Sequence, residues 1–226
     1  SFTTETRCSS GCSWSQVTTV GDLTARSGHS GLVFNKKMWL FGGTTGSSYF
    51  KETFNSDNGA WTSNTPPGWS ERENHVSLRF KGKMWVIGGG NSTSSYGDVW
   101  SSSTGLTWNE QTLTNGFSAR QGHAGVVFKN KMWVFGGYFI NPGGGGTFLN
   151  DVYSSEDGAT WTQESNSASW SGRYGHATVV YDDKIWVMGG NNSSGDSKEV
   201  WYSTDGINWT QQTSSIVTWD AMKDFG

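Results

Sequence analysis

Four apolar runs punctuate an otherwise polar chain: Lys37-Met-Trp-Leu-Phe-Gly-Gly43, Lys83-Met-Trp-Val-Ile-Gly-Gly89, Lys131-Met-Trp-Val-Phe-Gly-Gly137 and Lys184-Ile-Trp-Val-Met-Gly-Gly190. Their apolar residues are consecutive, not alternating. Each run therefore predicts a strand buried on both faces, here called strand b. The first glycines (Gly42, Gly88, Gly136, Gly189) step by 46, 48 and 53 residues. Ahead of each run stands an Arg-x-x-His: Arg26/His29, Arg72/His75, Arg120/His123 and Arg173/His176. An aromatic follows each His by five residues (Phe34, Phe80, Phe128, Tyr181), which predicts a preceding strand a. No 3.6-residue periodicity runs through the chain, so a helical solenoid is excluded.

After each Gly-Gly comes a variable loop and then a turn ending in Trp: Ser56-Asp-Asn-Gly-Ala-Trp61, Ser103-Thr-Gly-Leu-Thr-Trp108, Glu156-Asp-Gly-Ala-Thr-Trp161 and Thr204-Asp-Gly-Ile-Asn-Trp209. A fifth copy, Cys8-Ser-Ser-Gly-Cys-Ser-Trp14, opens the chain. Asn-Gly and Asp-Gly fit tight turns, and the short oxygen-bearing side chains before the Gly can accept turn N–H groups. These turns predict strand c before the glycine and strand d carrying the Trp. Four strands repeated at about 50 residues, with a strand buried on both faces, predict an all-β propeller in which each blade packs between two neighbours. The expected domain is single: a partial c–d hairpin over 1–20, blades over 21–66, 67–114, 115–167 and 168–213, and the start of a further blade over 214–226.

The Arg-x-x-His, the Gly-Gly closing strand b and the spaced Trp make the sequence resemble the Kelch-repeat family over nearly its whole length. The resemblance implies a Kelch-type β-propeller with four complete blades and a partial N-terminal blade. It assigns a structural role to Arg26, His29, Gly42, Gly43, Arg72, His75, Gly88, Gly89, Arg120, His123, Gly136, Gly137, Arg173, His176, Gly189 and Gly190. Trp replaces the usual Kelch Tyr on strand b. The Asp-Gly hairpins also resemble the Asp-box turns of sialidases, which are structural in that family.

Composition adds location. The chain has 226 residues, a formal net charge of −3, only 15% charged residues and 32 Gly. A near-neutral, slightly acidic surface argues against nucleic acid, and no apolar run is long enough for a transmembrane helix. The 15% aromatic content excludes disorder. Cys8 and Cys12 predict a small disulfide clipping the first hairpin; two ligands are too few for a structural zinc site. Sequons stand at Asn91, Asn191, Asn192 and Asn208. With the cysteine pair they predict a secreted glycoprotein whose leader, absent ahead of Ser1, has been removed.

A reaction needs one site and not four, so the chemistry must lie in what the repeat leaves over. All four His and four of the six Arg are repeat residues. Arg7 and Arg79 alone supply no carboxylate-binding cluster of the sialidase kind, and the cysteines and His offer no copper site of the galactose-oxidase kind. No cofactor or metal is expected. The recurring Trp69, Phe117 and Trp170, three residues before each Arg, read as packing and not as a sugar platform. Specificity falls to the b–c loops, above all the longest, with Tyr138, Phe139 and Ile140 followed by Gly143 to Gly146. The sequence thus predicts a non-catalytic extracellular interaction module whose loops bind protein or glycan. The alternatives are a structural subunit of an extracellular assembly and a glycan-acting or oxidative enzyme. Four a–b pairs against five hairpins leave the ring count open. The chain is a window of a longer one, a four-bladed ring with a spare hairpin, or a self-assembling unit that lends residues 1–18 to a neighbour.

Overall fold

The computed structural model describes residues 23–213. The N-terminal hairpin, the Cys8–Cys12 pair and the start of a further blade lie outside the described residues. Four four-stranded antiparallel sheets fill the rest. Their a, b, c and d strands are Ser30–Phe34, Lys37–Phe41, Thr53–Ser56 and Thr62–Ser63 in blade 1, then Val76–Phe80, Lys83–Ile87, Val99–Ser102 and Asn109–Glu110 in blade 2. Blade 3 has Ala124–Phe128, Lys131–Ile140, Gly146–Ser155 and Thr162–Ser165, and blade 4 has Ala177–Tyr181, Lys184–Met188, Val200–Ser203 and Thr210–Gln211. A small sheet of Arg173–Tyr174, Asn191–Asn192 and Gly195–Asp196 caps blade 4.

Strand a turns into strand b through two left-handed residues, for instance Asn35 and Lys36 at φ 49° and 62°. That backbone twist matches the strands it joins. In the c–d turns the glycine N–H donates to a serine Oγ three residues earlier, as Gly105 does to Ser102 and Gly158 to Ser155. Strand d begins one residue after the turn Trp, not at it. The Trp leaves the sheet and packs between blades.

The core therefore lies between sheets. Trp39 and Phe41 of blade 1 bury against Met84, Val86, Trp69 and Trp108 of blade 2. Trp85 and Ile87 meet Met132, Val134, Phe117 and Trp161 of blade 3, and Trp133 and Phe135 meet Ile185, Val187, Trp170 and Trp209 of blade 4. Consecutive apolar residues on strand b thus serve opposite interfaces, Met84 facing back and Trp85 forward. The turn glycine makes the fit close: a Cβ on Gly105 would lie 2.0 Å from Trp39, and one on Gly158 2.0 Å from Trp85. Trp69, Phe117 and Trp170 are all at most 5% exposed, which is the packing role expected of them.

Strands a pack in the order blade 1, 2, 3, 4. A chain of backbone bonds threads them: Asn74 N–H donates to Gly28 O, Gly122 N–H to Asn74 O, and Gly175 N–H to Gly122 O, each 2.8 Å. The outer faces of the series are open among the described residues. Met38 is 42% exposed where Met84 and Met132 are 0%, and Tyr181 is 71% exposed where Phe80 and Phe128 are 4% and 5%.

Candidate functional site

The Arg-x-x-His elements meet around the inner end of the blades, but their chemistry is spent on architecture. Arg72 donates from Nε to Ser70 O, from Nη1 to Gly88 O, and to both carboxylate oxygens of Asp98 at 2.7 Å. Arg120 repeats this with Ser118 O, Gly136 O and both oxygens of Asp151. Arg173 does so with Ser171 O, Gly189 O and Glu199. Each guanidinium so clamps strand b to strand c of its own blade, Arg72 and Arg120 by a bidentate fork that lysine could not supply and Arg173 through one oxygen of Glu199. The sequence reading missed the acid. It stands ten residues after the first Gly (Glu52, Asp98, Glu199) except in blade 3, where a longer loop moves Asp151 to fifteen.

The histidines serve the architecture by packing more than by hydrogen bonding. A Cβ on Gly88 of blade 2 would fall 2.8 Å from the His123 ring of blade 3, and one on Gly89 2.7 Å from the Cβ of His75. Each ring is a wedge between its own Gly-Gly and the preceding one. His75 accepts or donates one bond, with Ser30 Oγ at 2.7 Å. The residues facing His123 and His176 in that role are Val76 and Ala124, and their ring nitrogens are buried unpaired. Burial, helped by the neighbouring Arg, lowers His75 and His176 to about 3 and His123 well below its usual value. Unfolded His titrates near 6.5. Between about pH 6.5 and 3 the unfolded chain binds more protons, so stability is full above that window and falls as pH falls through it, by up to about 1.4 kcal/mol per unit per buried His. Urea midpoints are expected to drop from pH 7 to pH 5; a flat profile over that range would show these rings are not buried neutral.

These elements border an axial cavity of about 450 Å³ lined by Arg26, His29, His75, His123 and His176 with Gly28, Asn74, Gly122 and Gly175. The residue before each His is Gly in three blades and Asn74 in blade 2, where a non-glycine holds φ 54°.

The departures from the repeat gather at one place. The residue after each Arg pairs with the residue after each Gly-Gly: Ser27 with Thr44, Glu73 with Gly90, Gln121 with Tyr138, Tyr174 with Asn191. Only Tyr138 and Tyr174 are aromatic there, and they meet across blades 3 and 4 with ring centroids 5.6 Å apart. Phe148, from the lengthened blade 3 loop, completes a triangle at 5.2 Å from Tyr138 and 5.8 Å from Tyr174. The loop itself is a β-hairpin, Tyr138 opposite Phe148, Phe139 opposite Thr147 and Ile140 opposite Gly146. Side chains alternate along a strand, so Phe139 lies on the other face from Tyr138 and Ile140.

The sequon amides are engaged. Nδ2 of Asn91 donates to Tyr96 Oη, that of Asn191 to Asp196, that of Asn192 to Ser171 Oγ and that of Asn208 to Asp205.

Blades, inter-blade core and Arg–acid clamp together define a Kelch-type β-propeller. Residues 172–202 match the Kelch motif. A solved structure titled "Structure of YjhT" is similar to this chain with a TM-score of 0.71 at 19% identity, over 88% of this chain and 68% of that one. In all, 307 solved chains match; no curated protein matches in sequence. Kelch propellers commonly bind proteins, and among the described residues no helix is long and apolar enough to cross a membrane.

Proposed function

We propose that this chain is a non-catalytic, extracellular binding propeller that presents its b–c loop face to a protein or glycan partner. One observation carries the reading. The aromatic cluster of Tyr138, Phe148 and Tyr174 occurs at one of four equivalent positions, so the fold does not require it. The residues most suited to catalysis are committed elsewhere. Arg72, Arg120 and Arg173 are buried and paired with carboxylates and carbonyls, and three of the four His are neutral wedges. Secretion with glycans on the exposed turn at Asn208 accords with the sequons and the cysteine pair. The test is to follow binding and product formation together: binding without a product is expected, and a converted substrate would overturn the reading.

A further inference from the structure

The aromatic triangle is one wall of a cleft of about 280 Å³ between blades 2, 3 and 4, lined by Asn74, Gln121, Gly122, Tyr138, Phe148 and Tyr174. No charged side chain lines it. Asn74 and Gly122 also line the axial cavity, so the two hollows adjoin at that point. We propose that this cleft binds a neutral oligosaccharide, one pyranose ring on the aromatic wall and the next directed toward the axis. This deepens the binding function proposed above and rests on it.

Three features select that ligand. A pyranose ring offers a face of C–H groups with partial positive charge, and aromatic faces carry the complementary negative charge. Its rim of hydroxyls needs donors and acceptors together, which amides supply. Asn74 and Gln121 are the amides that line the cleft. The missing charge disfavours uronic or sialic acids and phosphosugars, because Arg72, Arg120 and Arg173 are turned into the carbonyls and carboxylates of their own blades and none of them lines the cleft.

Asn74 is a departure from the repeat at this same cleft. The other blades place Gly at this left-handed position. Asn accepts this conformation, as Asn35, Asn115 and Asn130 do elsewhere in the chain, and here it adds an amide to the lining of both the cleft and the axial cavity where the other blades have none.

That departure also supplies a variant that should not unfold the protein. Asn74→Gly restores the residue of the other three blades, so the melting temperature is expected to hold. Isothermal titration would use cellohexaose, xylohexaose, mannohexaose and chitohexaose, with hexagalacturonate as the anionic contrast. At least one neutral hexamer is expected to bind in the micromolar-to-millimolar range. Asn74→Gly and Tyr174→Ala are each expected to weaken it by at least about tenfold, as loss of a stacking or hydrogen-bonding partner does. Tyr181→Ala, on the open face of blade 4, should leave it unchanged. The assignment is overturned if no neutral hexamer binds, if hexagalacturonate binds more tightly, or if both cleft variants bind like the parent. None of those results touches binding of a protein partner. A sugar product in the cell would overturn the non-catalytic reading separately.

Discussion

Arg120→Met is expected to destabilise the fold by about 3–5 kcal/mol, the range for breaking a buried ion pair on one side. Arg120 is 0% exposed and its guanidinium meets both oxygens of Asp151 at 2.6 and 2.9 Å. Methionine fills much of the volume but leaves Asp151, itself 9% exposed, without its counter-charge. The carbonyls of Ser118 and Gly136 lose their donor too. Asp151→Leu in the same chain should recover part of the loss, because an apolar pair is tolerated where a lone charge is not. Urea unfolding of the two single variants and the double variant measures the coupling. If the double variant loses the sum of the single losses, the clamp is not what holds strands b and c together at blade 3.

Gly136→Val should be about as costly, through sterics alone. Gly136 has φ +53°, and a Cβ there would lie 2.9 Å from Leu149 O and 3.0 Å from Arg173 O. Both are backbone atoms, one on strand c of the same blade and one on the next blade, so neither yields by a side-chain rotation. A β-branched residue in the left-handed region adds about 1–2 kcal/mol of strain, and overpacking a filled interface about 1–3 more. For a chain of this size that corresponds to a melting-temperature loss of roughly 4–20 °C. Gly143→Val is the contrast. Gly143 has φ +99° but nothing within 4 Å, so only the strain applies. Thermal melts of the two should differ clearly. Equal losses would mean that the crowding around Gly136 carries no energy.

Much of this architecture is legible in the chain. Consecutive apolar residues on strand b declare two buried faces because Met84 and Trp85 do serve two interfaces. The turn glycine is legible because no Cβ fits over Trp39 or Trp85. Other features are hidden because their signal crosses blades or depends on loop length. The acid partner of each Arg is offset in blade 3 by the loop that moves Asp151. Asn74 looks like an ordinary polar residue until it is aligned with Gly28, Gly122 and Gly175. Tyr138 is visible as a loop aromatic, but Tyr174 and Phe148 join it only when blades 3 and 4 pack. Phe139, its neighbour in sequence, falls on the opposite face of the hairpin. The histidines are legible as repeat residues, but that they act as wedges emerges only from the packing, where the facing residues in blades 2 and 3 are Val76 and Ala124.

Binding without turnover at the blade 3–4 cleft is tested most directly by saturation-transfer NMR on the chain with the best-binding neutral hexamer. Protein aromatic protons are saturated, and the sugar spectrum is followed over a day. The account predicts transfer to ring C–H protons, loss of that transfer in Tyr174→Ala, and constant sugar integrals throughout. New anomeric signals would make the protein an enzyme, and transfer that survives Tyr174→Ala would place the sugar elsewhere on the propeller.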